Sequence, residues 1–424
     1  MTIHKAWEEL FARHDILSRV AAEGVFRISA TEINTVKEAR LMAKFDKSSQ
    51  LPEVFKSNRL SILPVSRGDY LIGHFKTHGR IVYPDVKPTP VEIPDLQSLD
   101  HTNLYSEASA LLFALNSGIV QDMLGSSKVH YTVNGRMSSG AFQFRIEDSA
   151  IAGAHHAISV ANAQIEIDAG YESEDVFCIC EAKNIATEEL LIRQLYYPYR
   201  LWKSRIAKEV LPLFLVFSND VFHLFRYAFE DILHYNSIRL AEHRSYTFAD
   251  EKIRLQEVKE LWSRIPVIPE PGVTFPQADS FERVLDLLSV LFETPLTLNE
   301  VTLQYEFDPR QTYYYTTACR YLDLIEYVAG SEGESVFQLT EDARAMLSMR
   351  YKQKHLALIR KLLERPVFHK AFGVVIASGG IPDRNTICQI MRECALPISG
   401  DTIPRRSSTV RAWLSWIIGI CAAD

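Results

Sequence analysis

The stretch from Gln164 to Lys183, QIEIDAGYESEDVFCICEAK, constrains the fold of this chain most tightly. Gln164 to Asp168 alternates polar and apolar residues, and Val176 to Ala182 is a short β-branched and aromatic run, so both segments read as strands. The polar segment Gly170 to Asp175 between them predicts a turn, and the whole predicts a hairpin. Side chains alternate along a strand, which puts Phe177, Ile179, Glu181 and Lys183 on one face and Val176, Cys178, Cys180 and Ala182 on the other. Glu181 and Lys183 therefore point the same way at the end of an apolar strand, and Asp168 lies on its neighbour. Carboxylates converging from adjacent strands can hold a hard divalent cation, and an ammonium beside them can orient or deprotonate a water.

At 424 residues and 47 % hydrophobic content, the chain is long enough to bury sizeable cores in several domains. No run approaches the roughly 18 consecutive apolar residues of a spanning helix, and the opening MTIHKAWEELFARHD carries charges where a signal peptide would be apolar. A cytoplasmic protein with no membrane partner is expected. The six cysteines form no CxxC, and Cys178 and Cys180 sit on the strand face turned away from the carboxylates, so they read as small buried hydrophobes. The net charge of −7 disfavours a bulk polycation, yet Ala343 to Asp424 holds 13 Lys and Arg against 5 Asp and Glu. That final stretch carries +8 and the rest of the chain −15, a distribution that lets one region bind phosphates. No GxxxxGK[ST] loop is present, which argues against an ATP-driven enzyme.

In chain order the sequence divides into an α+β module over 1–83, a proline-rich linker over 84–99, a central domain over 100–265, a second linker over 266–277 and a mainly helical region over 278–424. In the first module, helices are expected at Lys5 to Ala22 and, behind the capping box Ser29 to Glu32, at Ile33 to Phe45. A hairpin turns at Arg67-Gly68-Asp69. In the central domain a helix over Leu104 to Val120 has Leu104, Ala108, Leu111, Leu112 and Leu115 as its apolar face, with Glu107 beside it. Strands over Val129 to Val133 and Ala141 to Ile146 flank an Asn134-Gly135 turn signal. Thr187, followed by Glu188 and Glu189, can cap a helix carrying Arg193 and Gln194. Strands Leu211 to Phe217 and Val221 to Tyr227 enclose a turn at Ser218-Asn219-Asp220, and a helix over Ala249 to Ile265 closes the domain.

Asp168 on one strand and Glu181-Ala182-Lys183 closing the next resemble the PD-(D/E)XK nuclease family, to which many type II restriction endonucleases belong. Ile167 stands where the family's pattern has proline. Three other D/E-x-K triplets occur, at Asp85 to Lys87, Asp250 to Lys252 and Glu257 to Lys259, but none of them ends an apolar strand. The resemblance implies an α/β (α+β) multidomain protein with a mixed sheet flanked by helices. It implies Mg²⁺ as cofactor, replaceable by Mn²⁺, held by Asp168 and Glu181, with Lys183 positioning the attacking water. Glu107 matches the additional acidic residue that an early helix supplies in this family, and Gln194 the glutamine that follows the D/E-x-K strand. Tyr199 lies one residue beyond the usual place of the aromatic that comes next.

Beyond the second linker, helices at Ser280 to Phe292, Leu298 to Leu303 and Pro309 to Tyr327, then a Gly-rich turn at Ala329 to Glu334 and a strand at Val336 to Leu339, resemble a winged helix. Ala318, Leu322 and Ile325 are expected in its core, which turns Arg310, Gln311, Tyr313, Thr317 and Arg320 outward as DNA contacts. A second helix-turn-helix pattern spans Asn385 to Cys394 and Ser407 to Ile418, with Arg405, Arg406 and Arg411 as phosphate contacts. The implied function is site-specific hydrolysis of double-stranded DNA by a prokaryotic restriction enzyme, working as a homodimer beside a cognate DNA methyltransferase. Two other readings stay open: a non-catalytic winged-helix regulator, and a nuclease of DNA repair or junction resolution.

Overall fold

The computed structural model describes residues 2–84, 86–100, 104, 106–247, 252–304, 309–330, 335–396, 398 and 400–422. It is a mixed α/β protein whose centre is a seven-stranded mixed sheet. The elements that build this centre are helix α1 (Glu107–Asn116), strands β1 (His130–Ser138), β2 (Gln164–Glu172) and β3 (Val176–Lys183), helix α2 (Arg193–Lys203), and strands β4 (Glu209–Ser218), β5 (Val221–Phe229) and β6 (Ile238–Thr247). The sheet order is β6-β5-β4-β3-β2-β1, with the short strand Thr89–Pro90 outside β6. β3 and β4 run parallel, whereas β2/β3, β4/β5, β5/β6 and β1/β2 are antiparallel.

The sheet is buried on both faces, which is why β3 and β4 read as nearly continuous apolar runs. On one face Ala110, Leu111, Phe113 and Ala114 of α1 pack with Cys178, Cys180, Ala182, Leu213 and Leu215. On the other, Leu195, Tyr196, Tyr197 and Leu201 of α2 pack with Phe214, Val216 and Phe225, while Tyr199 and Trp202 cover Phe177 and Ile179. The expected alternation of β3 therefore holds, and both cysteines lie on the α1 side. The hairpin forms as expected too, although β2 runs through Gly170 to Glu172 and the turn narrows to 173–175. The β4–β5 hairpin closes through Asn219 and Asp220, both at positive φ (53° and 62°), the backbone a two-residue primed turn requires.

Several local expectations are corrected. Asn134-Gly135 is not a turn but lies inside β1, at a register shift against β2, and the chain reverses at Ser139 and Gly140 instead. Ala141–Glu147 then pairs with His155–Ala161 in a separate two-stranded ribbon. No helix starts at Thr187: Glu189–Leu191 is a short strand paired with His78–Arg80, and α2 begins at Arg193. The helix around Leu104 to Val120 starts at Glu107 behind the Ser106 cap and breaks at Gly118, so Ala108 and Leu112 face outward. ASALLFAL is apolar all round, and its periodicity left the buried face undetermined. Lys5 to Ala22 is two helices broken at Asp15, which adopts left-handed backbone. Ile33 to Phe45 holds only short turns of helix.

Neither expected linker is free. Val91, Ile93 and Leu99 pack against the α1-side core. Phe275 is 2 % exposed in the C-terminal core, Ile268 N donates to Glu364 O and Tyr321 Oη donates to Glu270. Ile253 and Val258 are buried in that same core, and Ile253–Arg254 pairs with Cys421–Ala422, so the segment after 252 belongs to the C-terminal unit rather than closing the central domain. Residues 249–251 of the expected closing helix and 331–334 of the Gly-rich turn lie outside the described residues. The N-terminal unit has its own core around Trp7, Phe11, Phe26 and Phe55 beneath a three-stranded sheet, whereas Phe75 and Ile81 already pack with the central domain. No helix among the described residues is long and apolar enough to cross a membrane.

The C-terminal unit opens with α3 (Phe281–Glu293), followed by Leu298–Gln304, α4 (Pro309–Tyr321) and a small sheet in the order Leu296–Thr297, Ser335–Leu339, Ile325–Ala329. It ends in α5 (Ile403–Ile420), which packs against Arg384–Glu393. Asp286 of α3 is 3 % exposed, and burial pushes its carboxyl up to about 7. Because folding raises the pKa of this acid, stability falls as pH rises from the unfolded value near 4 to the folded value near 7, and levels off above. Asp286→Asn removes the charge and keeps one oxygen to accept from Ala186 N, while its amide NH2 can donate to Ser218 Oγ. Its stability relative to the wild type should therefore grow between pH 4 and 7, by at most about 4 kcal/mol. Chemical denaturation across that range checks this, and a pH-independent difference would contradict it.

Candidate active site

The C-terminal end of β3 places Glu181 and Lys183 beside the middle of β2, where the strand register has to accommodate Asp168. Between Val133↔Gly170 and Gly135↔Ile167, β1 advances two residues while β2 advances three, so β2 bulges at Asp168 and Ala169. Bulges of this kind re-aim side chains. Ile165 and Ile167 face the α2 side, whereas Ala169 and Tyr171 face α1. Asp168 stands at the switch, and its Oδ2 accepts a hydrogen bond from Ala182 N at 2.8 Å. That bond fixes the carboxylate against the strand that carries Glu181 and Lys183.

The Lys183 ammonium bridges two acids, donating to Glu181 Oε1 at 2.8 Å and to Glu107 Oε1 at 3.2 Å. Ser106 caps α1, so Glu107 is the first residue of a helix whose N-terminus points at Lys183. From the opposite face Gln194, one residue into α2, donates its amide to the same Glu181 oxygen. Of the five residues expected to form a site, Glu181, Lys183, Glu107 and Gln194 are thus joined by side-chain hydrogen bonds, and Asp168 is tied beside them through Ala182 N. Tyr199 is not part of it and stacks on Phe229.

The side chains of Glu181 and Lys183 are only 7 % and 13 % exposed, and Glu107 is 38 % exposed. Burial raises the pKa of Glu181 well above the carboxylate range, and Asp168 and Glu107 reinforce the rise against the pull of Lys183. Glu107 is raised for the same reasons. Burial works against the Lys183 charge, but Glu181, Glu107, Asp46 and Asp168 together outweigh it and hold the ammonium well above its usual range. The cluster holds fewer positive charges than carboxylates.

Asp46 is a member that sequence reasoning missed. It sits in a loop of the N-terminal unit held on both sides: Phe45 O bonds His78 Nε2 at 3.1 Å, and Ser48 donates from N and Oγ to Glu189 at 2.6 and 2.7 Å. From there it acts electrostatically on both Lys183 and Glu107. An Asp-Lys pair in a loop carries no local signal of such a place.

The residues expected to touch DNA divide. Arg310 and Tyr313 are exposed on α4, and Arg310 donates to Tyr314. Gln311 is half-buried, and so is Arg320, whose guanidinium lies 4.7 Å over the Tyr327 ring. Thr317 is corrected: it is 7 % exposed, because α4 is flanked on both sides and buries Thr316 to Cys319 together. Arg406 is also corrected, since it reaches back to Phe275 O and pins the 266–277 segment. Arg405 and Arg411 are exposed along α5 and line a concavity with Arg384, which sequence reasoning did not single out.

Three family models match the chain, all domains of unknown function: DUF6996 over residues 4–72, DUF6997 over 73–247 and DUF7226 over 283–422. Their limits follow the N-terminal, central and C-terminal units, and the network around Lys183 falls in the second apart from Asp46. No curated protein and no solved structure matches the chain.

The network sets an expectation for Gln194. Gln194→Glu would press another carboxylate against buried Glu181, whereas Gln194→Leu would only remove a donor. The Glu variant should be less stable than the Leu variant by about 1–3 kcal/mol at pH 8. The gap should close toward pH 5, where the raised pKa values let one of the pair hold a proton. Urea unfolding of both variants at the two pH values tests this, and equal stability at pH 8 would argue that the amide does not face Glu181.

Proposed function

We propose that this protein is a Mg²⁺-dependent endonuclease of the PD-(D/E)XK kind, hydrolysing double-stranded DNA at specific sites as type II restriction endonucleases do, with Mn²⁺ able to replace Mg²⁺. The observation that carries this reading is the convergence of Asp168, Glu181 and Lys183 from two adjacent strands, with Glu107 and Gln194 closing on them from helices on opposite faces of one mixed sheet.

The donor set fits the ion. Among the described residues no group of three or more His, Cys, Asp or Glu side chains is disposed to hold a metal by itself. Mg²⁺, however, is commonly bound through one or two carboxylates, with waters and substrate phosphate filling the remaining positions. Asp168 and Glu181 supply two hard oxygen ligands, and each has one oxygen already fixed by the protein, Asp168 by Ala182 N and Glu181 by Lys183 and Gln194. When bound, the ion would neutralise charge on the phosphate and lower the pKa of a water.

The chain's own groups then divide the work. Asp168 and Glu181 hold the ion. Lys183, charged and nearly buried, donates to the attacking water or to the phosphate and so fixes the direction of attack. Glu107 keeps that ammonium oriented, and Gln194 locks the rotamer of Glu181. Asp168→Ala, Glu181→Ala and Lys183→Ala should each abolish cleavage of plasmid DNA in Mg²⁺ while leaving DNA binding within about twofold, since recognition is assigned elsewhere. Glu107→Ala and Gln194→Ala should slow cleavage less. Discrete fragments from the wild type support a restriction enzyme, smears support a repair or junction nuclease, and binding without any cutting supports a regulator. Undiminished cutting by any of the three core variants would sink the site assignment.

DNA reading is assigned to the C-terminal unit. Three helices, a hairpin and a third short strand beside it match a winged helix, with α4 as the reading helix and Arg310, Gln311, Tyr313 and Arg320 as candidate contacts. Arg384, Arg405 and Arg411 form a second basic face suited to phosphates. In the full-length Lys183→Ala protein, replacing these three arginines by alanine should flatten the dependence of affinity on salt, by about 0.9 in log–log slope for each phosphate no longer neutralised. Changes at Gln311 or Arg320 should instead relax sequence preference. An unchanged slope in the triple variant would remove this face from the interface. A homodimer would serve to cut both strands at a symmetric site, and a cognate methyltransferase would protect the host's own copies.

A further inference from the structure

The five residues after Lys183 pass between two units: Thr187 and Glu188 bond Tyr83 and Ile81 of the central domain, while the residues before them turn to the C-terminal unit. Ile185 is 6 % exposed and belongs to the core of the C-terminal unit. Ala186 N donates to Asp286 Oδ2 at 3.2 Å, and Glu188 stands 3.6 Å from Arg283. Both of those partners lie on α3. The other oxygen of Asp286 accepts from Ser218 Oγ, the last residue of β4, at 2.8 Å. Since Lys183 pairs with Val216 in the parallel β3–β4 ladder, Asp286 spans the outgoing ends of both strands just beyond the ammonium.

Asp286 is a conspicuous choice at this point. Its neighbours along the helix are apolar, it is almost wholly buried, and burial outweighs the pull of Arg283 on its charge. A buried carboxylate is costly unless hydrogen bonds compensate, and here both compensating donors come from the central domain. Beside it, Asn184, Ser218, Asn219, Asp220 and Lys354 line one part of a cavity of about 40 Å³, with Leu104, Phe217, Leu285 and Leu347 on the rest, and Lys354 bonds Asp220 at 2.6 Å. An apolar residue at 286 would serve packing between the units better. The acid is placed to hold two backbone ends.

We propose that Asp286 is a positioning residue of the cleavage site. From the C-terminal unit it braces the segment leaving β3, with Ile185 anchored beside it, and so sets where the Lys183 ammonium stands relative to Asp168 and Glu181. This rests on the assignment of Lys183 to a nuclease site. It makes the unit assigned to DNA reading a structural part of the catalytic strand. Asp168 and Glu181 are held by the β2–β3 ladder and by Gln194, so the brace bears on Lys183 more than on the metal ligands.

Two measurements on the full-length chain test this. In steady-state cleavage with Mg²⁺, Asp286→Ala should lower kcat by about 10- to 100-fold, the range expected for misplacing a catalytic group, with KM for DNA and Mn²⁺ affinity within about twofold. Asp286→Asn, whose amide oxygen can still accept from Ala186 N while its NH2 donates to Ser218 Oγ, should restore kcat to near the wild-type value. In hydrogen–deuterium exchange, the amide of Ala186, which donates to Asp286, should exchange at least about tenfold faster in Asp286→Ala and not in Asp286→Asn, whereas that of Thr187, held by Tyr83, should change less. If Asp286→Ala does not fold, Ser218→Ala removes one of the two bonds from the other side and should lower kcat in the same direction by a smaller factor. A folded Asp286→Ala or Ser218→Ala protein with wild-type kcat, or an Asn variant as impaired as the Ala variant, would overturn the proposal. If the wild type does not cleave DNA, the nuclease reading falls, whereas the exchange measurement still decides whether Asp286 braces the segment.

Discussion

Burying the Lys183 ammonium among carboxylates is the interaction on which the middle of the molecule depends. Removing a charge from water is expensive, and the cost is offset only where opposite charges and hydrogen bonds are held in place. Glu181 and Glu107 supply direct bonds, and Asp168 and Asp46 add attraction from further away. The carboxylates in turn tolerate each other only because the ammonium is there. Such a cluster cannot relax into solvent, since α1 and α2 cover both faces of the sheet up to the last residues of β3. It is largely buried and holds more carboxylates than ammonium groups.

Four separate elements must be in register for this cluster to exist. The β2 bulge re-aims Asp168, the capped end of α1 presents Glu107, the first turn of α2 brings Gln194, and the loop between Phe45 and Ser48 delivers Asp46. Three lie in the central domain and the last in the N-terminal unit, while the C-terminal unit grips the chain immediately after Lys183. The site is therefore a junction. Its geometry reports on the placement of all three units, which a site enclosed within one domain would not do.

Much of this was legible in the sequence where the signal is local and periodic. Alternation along Val176 to Lys183 gave the side of Glu181 and Lys183 correctly, because a strand covered on both faces has to end before charges appear. In the C-terminal unit the helices near 280–292, 385–394 and 407–418 were legible through their apolar spacing, and the Asn219-Asp220 turn of the central domain through its residue types. The helix expected over Pro309 to Tyr327, however, ends at Tyr321 and Ile325 begins a strand, and the helices Glu341–Leu347, Tyr351–Leu363 and Pro366–Ser378 were not expected. Misreadings arose where two physical causes produce the same pattern. Asn-Gly suits a positive-φ bulge as well as a turn, and Gly135, at φ 87°, is the former. Proline clusters mark both free linkers and extended straps, and here Phe275 and Val91 tie them down. Thr317 and Arg406 were misassigned because the burial of a helix depends on every neighbour it meets, which one helix's periodicity does not contain. Asp46 had no local signal, and Asp286 showed only as a charge inside an apolar helix, since the roles of both arise from contacts between units.

The uneven charge of the chain acquires a physical sense in this arrangement. A region of +8 is joined to a remainder of −15, and the buried cluster adds local negative potential at the point where a phosphate would have to react. Under the proposed reading, duplex DNA approaching the central domain alone would meet repulsion, which salt screens only beyond about 8–10 Å. An approach that first engaged the arginines of the C-terminal unit would meet attraction, and a divalent ion would then offset the negative charge of the cluster itself. Under the proposed reading, two independent conditions stand between DNA and hydrolysis: contact with the basic unit, and a metal-loaded site whose lysine is braced by that same unit. A nuclease that must spare most of the DNA it encounters gains discrimination from such repulsion as well as from attraction, because every substrate that fails one condition is held away from the reacting groups.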